Sequence, residues 1–261
     1  MEQKIPKIIH YVWVGRKPKS EKIQKCMESW KRFCPDYEIK EWNEDNIDFE
    51  SNAFIKEAYE NKKFAFVSDY ARLYALFNEG GIYMDTDVEL TKPLDEFLIH
   101  NAFSGFENAV WIPTAVMGSE KGHSWTKLLL DYYKNRHFVN NGKMDLTTNV
   151  DIISALTKIY YDIELNNKNQ QLKDGLYFYS NDYFCPKNYV SEKIELTENT
   201  HAIHHFAGSW LSPKLKRVDK LVKFIKKIFG DKIFMKIENH FFRSHAKKFC
   251  KKLRKEYQNK K

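Results

Sequence analysis

Asp85 and Asp87 stand two residues apart, directly after a short apolar run, Ile82 to Met84, that follows a Gly80-Gly81 stop. In an extended segment, positions i and i+2 face the same side. Two hard oxygen ligands would then converge on one small volume at the C-terminal end of a strand, where open α/β sheets bind their ligands. Mg2+ or Mn2+ suits such a pair, because these ions take few protein carboxylates and complete their shells with water and phosphate oxygens. An ion held there can neutralise a pyrophosphate leaving group as a Lewis acid. Asp-x-Asp also arises often by chance. A carboxylate pair can serve glycoside hydrolysis too, although those partners usually come from separate elements. The surroundings have to decide.

The surrounding pattern is that of an α/β protein. Ile8 to Val14 is a nearly continuous apolar run ended by Gly15, which fits a buried parallel strand. Ser20 caps a helix expected to run to Phe33, Pro35-Asp36 closes it, and Glu38 to Trp42 reads as the next strand. Phe66, Tyr70, Leu73, Tyr74 and Phe77 recur at helical spacing over Phe64 to Glu79. Val88 to Leu90, Ala102 to Phe106 and Ile112 to Met117 are further strand candidates. Ser124 to Tyr133 and Thr148 to Tyr161 read as helices, and Asn166 to Gln171 as a polar loop. A strand–helix–strand opening is the start of a doubly wound sheet.

Charge divides the chain. Lys214 to Lys261 holds 18 Lys and Arg against 4 Asp and Glu, a balance of +14, whereas the preceding residues carry 25 against 31. A mildly acidic body, residues 1–213, thus precedes a basic region, 214–261, expected to form two amphipathic helices. One has Val218, Leu221, Val222, Ile225, Ile228 and Phe229 on one face, and the other runs from about Lys232 towards Leu253. Such asymmetry suits an anionic partner, and a membrane surface fits better than nucleic acid because no nucleic-acid module accompanies the charge. The four cysteines show no metal-ligand spacing. No apolar run is long enough to span a bilayer, and the first residues lack a signal peptide's apolar core. A reduced, cytoplasmic protein, peripheral at the inner face of the membrane, is the expectation.

Phe66 to Asp95, FVSDYARLYALFNEGGIYMDTDVELTKPLD, resembles the signature of glycosyltransferase family 32. That family includes bacterial capsule and oligosaccharide transferases and fungal initiating mannosyltransferases, and the same block is recognisable in clostridial glucosylating toxins. IPKIIHYVWVG (Ile5 to Gly15) is similar to the family's first strand, and HHFAGSW (His204 to Trp210) to its closing motif. The resemblance implies a GT-A fold, a Rossmann-like, mostly parallel sheet with flanking helices and a small second sheet near the metal, here followed by the basic C-terminal helices. It implies that Trp13 stacks on the nucleobase, that Asp69 and Arg72 hold the donor sugar or its phosphate, and that Tyr83 lines the ribose side. Asp85 would reach ribose and metal, Asp87 would ligate the Mn2+ or Mg2+ directly, and His205 would add a ligand, with His204 beside it an equal candidate from sequence alone. Trp210 would donate to the β-phosphate from a closing loop.

Many members carry Thr-Gly-Pro on the acceptor wall. Here the stretch is Thr147-Thr148-Asn149-Val150-Asp151. Asn149 or Asp151 would contact the transferred sugar or acceptor, and an ordinary helix N-terminus explains both residues equally well. The expected activity is retaining transfer of galactose or glucose from a UDP-sugar to a glycan or lipid-linked glycan in capsule, lipooligosaccharide or other polysaccharide assembly. A toxin-like protein O-glycosyltransferase and a non-catalytic sugar-binding module are the alternatives.

Overall fold

The computed structural model describes residues 2–108, 111–112, 115–188, 191–207 and 231–258. In the last stretch, side chains are described for 243–257. Trp210 and the first basic helix expected around 218–229 lie outside the described residues.

The strands are β1 (Ile8–Val12), β2 (Glu38–Trp42), β3 (Gly81–Met84), β4 (Val88–Leu90), β5 (Ala102–Gly105), β6 (Val116–Ser119), β7 (Val139–Asn140), β8 (Lys143–Met144), β9 (Gln170–Gln171), β10 (Leu176–Tyr179) and β11 (Ala202–His204). Seven of them form a central sheet in the order β2-β1-β3-β6-β5-β10-β9. β2, β1 and β3 pair in parallel, as do β5 and β10, while β6 and β9 run against their neighbours. β4 and β11 make a separate antiparallel pair just beyond Asp85 and Asp87. A mainly parallel sheet with a small second sheet at the carboxylate pair is the GT-A-like arrangement expected from the sequence.

The helices are α1 (Glu21–Phe33), α2 (Ala53–Glu60), α3 (Phe64–Glu79), α4 (Ser124–Asp131), α5 (Asn149–Tyr161), α6 (Asn181–Phe184) and α7 (Asp231–Gln258). They cover the central sheet with two apolar cores. One joins α2, α3, α4 and α5 to the sheet, and the other lies between the sheet, α1 and the β4–β11 pair. Ser20 caps α1 by accepting from the Ile23 amide. Trp30 of α1 is fully buried and donates its indole N–H to the Val88 carbonyl at 2.8 Å, while Ser29 Oγ accepts from the Leu90 amide at 2.8 Å. Helix α1 thereby fixes the strand that follows Asp87.

Between α3 and β3 the chain reverses through Gly80 (φ 75°) and Gly81 (φ 103°). A Cβ at Gly81 would sit 2.8 Å from the Ile8 carbonyl oxygen, so the close β1–β3 pairing that carries Asp85 requires glycine there. Gly118 in β6 is required for packing instead: a Cβ there would lie 2.1 Å from the Phe103 ring of β5. Gly118→Ala is expected to destabilise the fold by about 1–3 kcal/mol through overpacking. A lowered urea midpoint with an unchanged slope would register it.

The structure departs from the sequence expectations in several places. The strand expected over Ile112 to Met117 begins at Val116, because its partners are Gly81–Met84 on one side and Ala102–Phe103 on the other. The polar loop ending at Gln171 closes as the edge strand β9. Helix α7 packs on α5, burying Leu253 and placing Phe249, Cys250 and Tyr257 against the main core. Those apolar side chains, expected to face a membrane, are turned to the body, and Arg243, Lys247, Lys248, Lys251, Lys252, Arg254 and Lys255 are left outward. Among the described residues no helix is long and apolar enough to cross a membrane.

Candidate active site

Parallel β1, β2 and β3 end on the same edge of the sheet, and the candidate residues gather there. Helix α3 places Asp69 and Arg72 three residues apart on its buried face. The Arg72 guanidinium donates to Asp69 Oδ1 at 3.1 Å and lies 3.4 Å from Asp85 Oδ1 and 4.4 Å from the centre of the Tyr83 ring. Tyr83, on β3, donates its hydroxyl to Asp85 Oδ1 at 2.7 Å. Burial opposes charge on Arg72, but Asp85, Tyr83 and Asp69 outweigh it and hold the guanidinium firmly charged. Burial also drives the Asp69 carboxyl up to about 7, against the opposing pull of Arg72.

Asn149 reaches this group from the first turn of α5. Its side-chain amide donates to Asp69 Oδ1 at 3.0 Å across 80 residues of sequence. Thr148 caps the helix, and its hydroxyl donates to Asp151 Oδ2 at 2.6 Å. Both Asn149 and Asp151 are buried, and among the described residues Asn149 Oδ1 and Asp151 Oδ1 have no hydrogen-bond partner. Buried acceptors without donors are costly, and they mark places where a ligand can satisfy them.

Asp87 is held from the closing segment. Its backbone carbonyl accepts from the His205 amide at 3.0 Å, and its Oδ2 accepts from the Ala207 amide at 2.6 Å. Burial resists ionisation of Asp87, yet His204 and the Ala207 amide outweigh it and lower the carboxyl to about 2. Strand β11 pairs His204 with Val88 and turns its ring to the carboxylates, 3.5 Å from Asp87 Oδ1. Ligand atoms of Asp85, Asp87 and His204 all lie within 4.8 Å of one another. Two carboxylates and an imidazole at that spacing fit a divalent Mn2+ or Mg2+ ion.

His205 does not join this group: its ring turns away to Glu89 Oε2, 2.7 Å distant. The reason is alternation. Neighbouring side chains along the extended β11 edge point to opposite faces, and the ladder with β4 assigns the inner face to His204.

Trp13 sits just past β1, half-buried, with its indole N–H donated to the Lys17 carbonyl at 2.7 Å and Lys19 5.4 Å over the ring. It lines a cavity of about 420 Å3 shared with Lys19, Glu41, Asn43 and Glu44 at the ends of β1 and β2. Trp13 is thus separate from the Arg72–Asp85 cluster but on the same sheet edge.

Residues 20–104, which carry Asp69, Arg72, Tyr83, Asp85 and Asp87, match the family described as "Glycosyltransferase sugar-binding region containing DXD motif". An uncharacterized glycosyltransferase of Acanthamoeba polyphaga mimivirus is 28% identical over 231 residues, covering 81% of this chain and 86% of that one. The chain is a glycosyltransferase, similar over its DXD region to family 32. Inositol phosphoceramide mannosyltransferase 3 of Schizosaccharomyces pombe is 30% identical to the transferase over 130 residues, covering 46% of this chain and 34% of the fungal protein. Among solved structures, a galactosyltransferase in complex with donor and acceptor sugar analogs superposes with a TM-score of 0.43 at 12% identity, covering 83% of the transferase and 95% of that chain.

Proposed function

We propose that the transferase moves a hexose from a UDP-sugar to a hydroxyl of a glycan acceptor, in polysaccharide assembly, with a divalent metal and with retention of configuration. The observation that carries this reading is the convergence of Asp85, Asp87 and His204 at the end of β3. When bound, a metal ion there supplies Lewis-acid stabilisation to the departing diphosphate.

The chain's own residues do the rest. Trp13 offers a ring face to the base within its cavity. Arg72, immobilised between Asp69 and Asp85, keeps a fixed positive charge beside the sugar-phosphate position. Asn149 Oδ1 and the tethered Asp69 orient sugar hydroxyls. In the transfer, the acceptor oxygen bonds to the anomeric carbon, the carbon–phosphate oxygen bond breaks on the same face, and the acceptor proton leaves on the nucleoside diphosphate. A glycosyl adduct on the protein, trapped and seen by mass spectrometry, would contradict this front-face course.

Equilibrium dialysis tests donor binding directly. UDP is expected to bind with Mn2+ and to be released by EDTA. Trp13→Ala is expected to weaken it about tenfold, the order of one lost ring–base stack. UDP binding insensitive to both changes would contradict the reading. Outward lysines on α7 support contact with anionic lipid that is purely electrostatic, because the helix's apolar side is used on α5. Co-sedimentation with anionic vesicles is therefore expected at low salt and lost at high salt. Binding to neutral vesicles would argue against it.

A further inference from the structure

Helix α5 carries Asn149 to the donor cluster on its first turn, where backbone amides have no partners within the helix. Two polar contacts steady that turn. Thr148 Oγ1 accepts from the Asp151 amide at 3.4 Å and donates to Asp151 Oδ2 at 2.6 Å. The other contact comes from far along the chain: His245 Nε2 of α7 lies 3.4 Å from the same Asp151 Oδ2. The Asp151 side chain is 9% exposed and that of His245 51%, so the imidazole reaches a buried carboxylate from the solvent side.

His245 belongs to the face of α7 turned to the body. His245, Phe249, Leu253 and Tyr257 recur every fourth residue, and the last three pack in the main core. Tyr257 meets Tyr160 of α5 at 6.0 Å between ring centres, and Glu256 pairs with Arg136. Since His245 meets Asp151 and Tyr257 meets Tyr160, α7 runs alongside α5 in the same direction, for about 18 Å between its two ends of contact. A polar side chain thus opens this mostly apolar face, opposite the turn that carries Asn149.

From there a series of contacts leads to the carboxylate pair. Asn149 donates to Asp69 Oδ1 at 3.0 Å, and Arg72 lies 3.1 Å from Asp69 Oδ1 and 3.4 Å from Asp85 Oδ1. Asn149 spends its amide N–H on Asp69, and its Oδ1, without a partner among the described residues, is left to accept from a sugar hydroxyl. A small rotation of the turn would break the bond to Asp69 and misdirect that oxygen. Resting on the transferase reading above, we propose that His245 is a positioning residue for sugar transfer. By anchoring Asp151 it fixes the first turn of α5 and so aims Asn149 at the donor sugar. The basic C-terminal helix is then part of the framework of the donor site. Trp13 and the Asp85–Asp87–His204 group serve the nucleotide, so the effect of His245 falls on the sugar.

The test is calorimetric titration of the full chain in Mn2+ with UDP, UDP-glucose and UDP-galactose. His245→Ala is expected to weaken the better-bound UDP-sugar by about three- to tenfold, the order of one hydrogen bond, and to leave UDP within about twofold. His245→Gln, which keeps an N–H donor, is expected to restore most of that loss. In an Asn149→Ala background, His245→Ala is expected to cost little more, because the side chain it positions is gone. Equal weakening of UDP and UDP-sugar, or no weakening of either, would overturn the proposal. So would a Gln variant no better than Ala, or a His245 effect undiminished without Asn149. A wild-type chain that binds neither UDP nor a UDP-sugar would instead count against the transferase reading on which the proposal rests.

Discussion

Asp87→Asn is expected to lower sugar transfer by at least about a hundred-fold while leaving the protein folded. The substitution keeps an oxygen that can accept from the Ala207 amide, so the closing segment retains its anchor. It removes the negative charge that holds His204 and that would bind a divalent cation. Several kcal/mol of transition-state charge stabilisation depend on such an ion, which sets the magnitude. Thermal unfolding measured beside turnover separates the two effects: near-normal melting with near-zero transfer is the expected pair. Transfer retained at the wild-type rate would remove Asp87 from the chemistry.

Arg72→Met should have the largest effect on stability. Arg72 is 4% exposed and lies between Asp69 and Asp85 over Tyr83, so its loss leaves two carboxylates facing each other without a cation. Removing one partner of a buried ion pair typically costs about 3–5 kcal/mol. That is a large share of the roughly 5–15 kcal/mol that stabilises a domain. The melting temperature is expected to fall by about 10 °C. Adding Asp69→Asn should recover part of the loss, because a neutral amide no longer needs the guanidinium. Strict additivity of the two substitutions in thermal unfolding would show that the pair is not energetically coupled.

The first half of the fold could be read from the chain because local punctuation marks it. Ser20 caps α1, Gly80-Gly81 ends α3, and the apolar runs before Gly15 and Asp85 are short enough for buried strands. Helix α2 carries local signals of the same kind: Asn52 caps it, and Phe54, Ile55 and Ala58 recur at helical spacing. In β10, Leu176 and Phe178 alternate with Tyr177 and Tyr179, the pattern of a strand with one buried face. Within the site, Asp85 and Asp87 follow from the strand end, whereas Asp69 and Arg72 follow from the family resemblance, helical spacing adding only that both can face one site. The choice between His204 and His205 depends on how β11 pairs with β4, more than 110 residues away in sequence. Asn149 meets Asp69, and His245 meets Asp151, only through tertiary packing of α3, α5 and α7, so neither contact leaves a local pattern.

Asp85, Asp87 and His204 are proposed to support metal-dependent transfer from a nucleotide sugar. Nucleotide release tests it most directly, with the wild-type chain offered a panel of UDP- and GDP-sugars in Mn2+, then with EDTA, then with Mn2+ restored. Release from one donor, abolished by EDTA and restored by added Mn2+, is expected. Release indifferent to EDTA, or neither turnover nor metal-dependent nucleotide binding with any donor, would contradict it and leave the carboxylate pair a structural feature of the strand end.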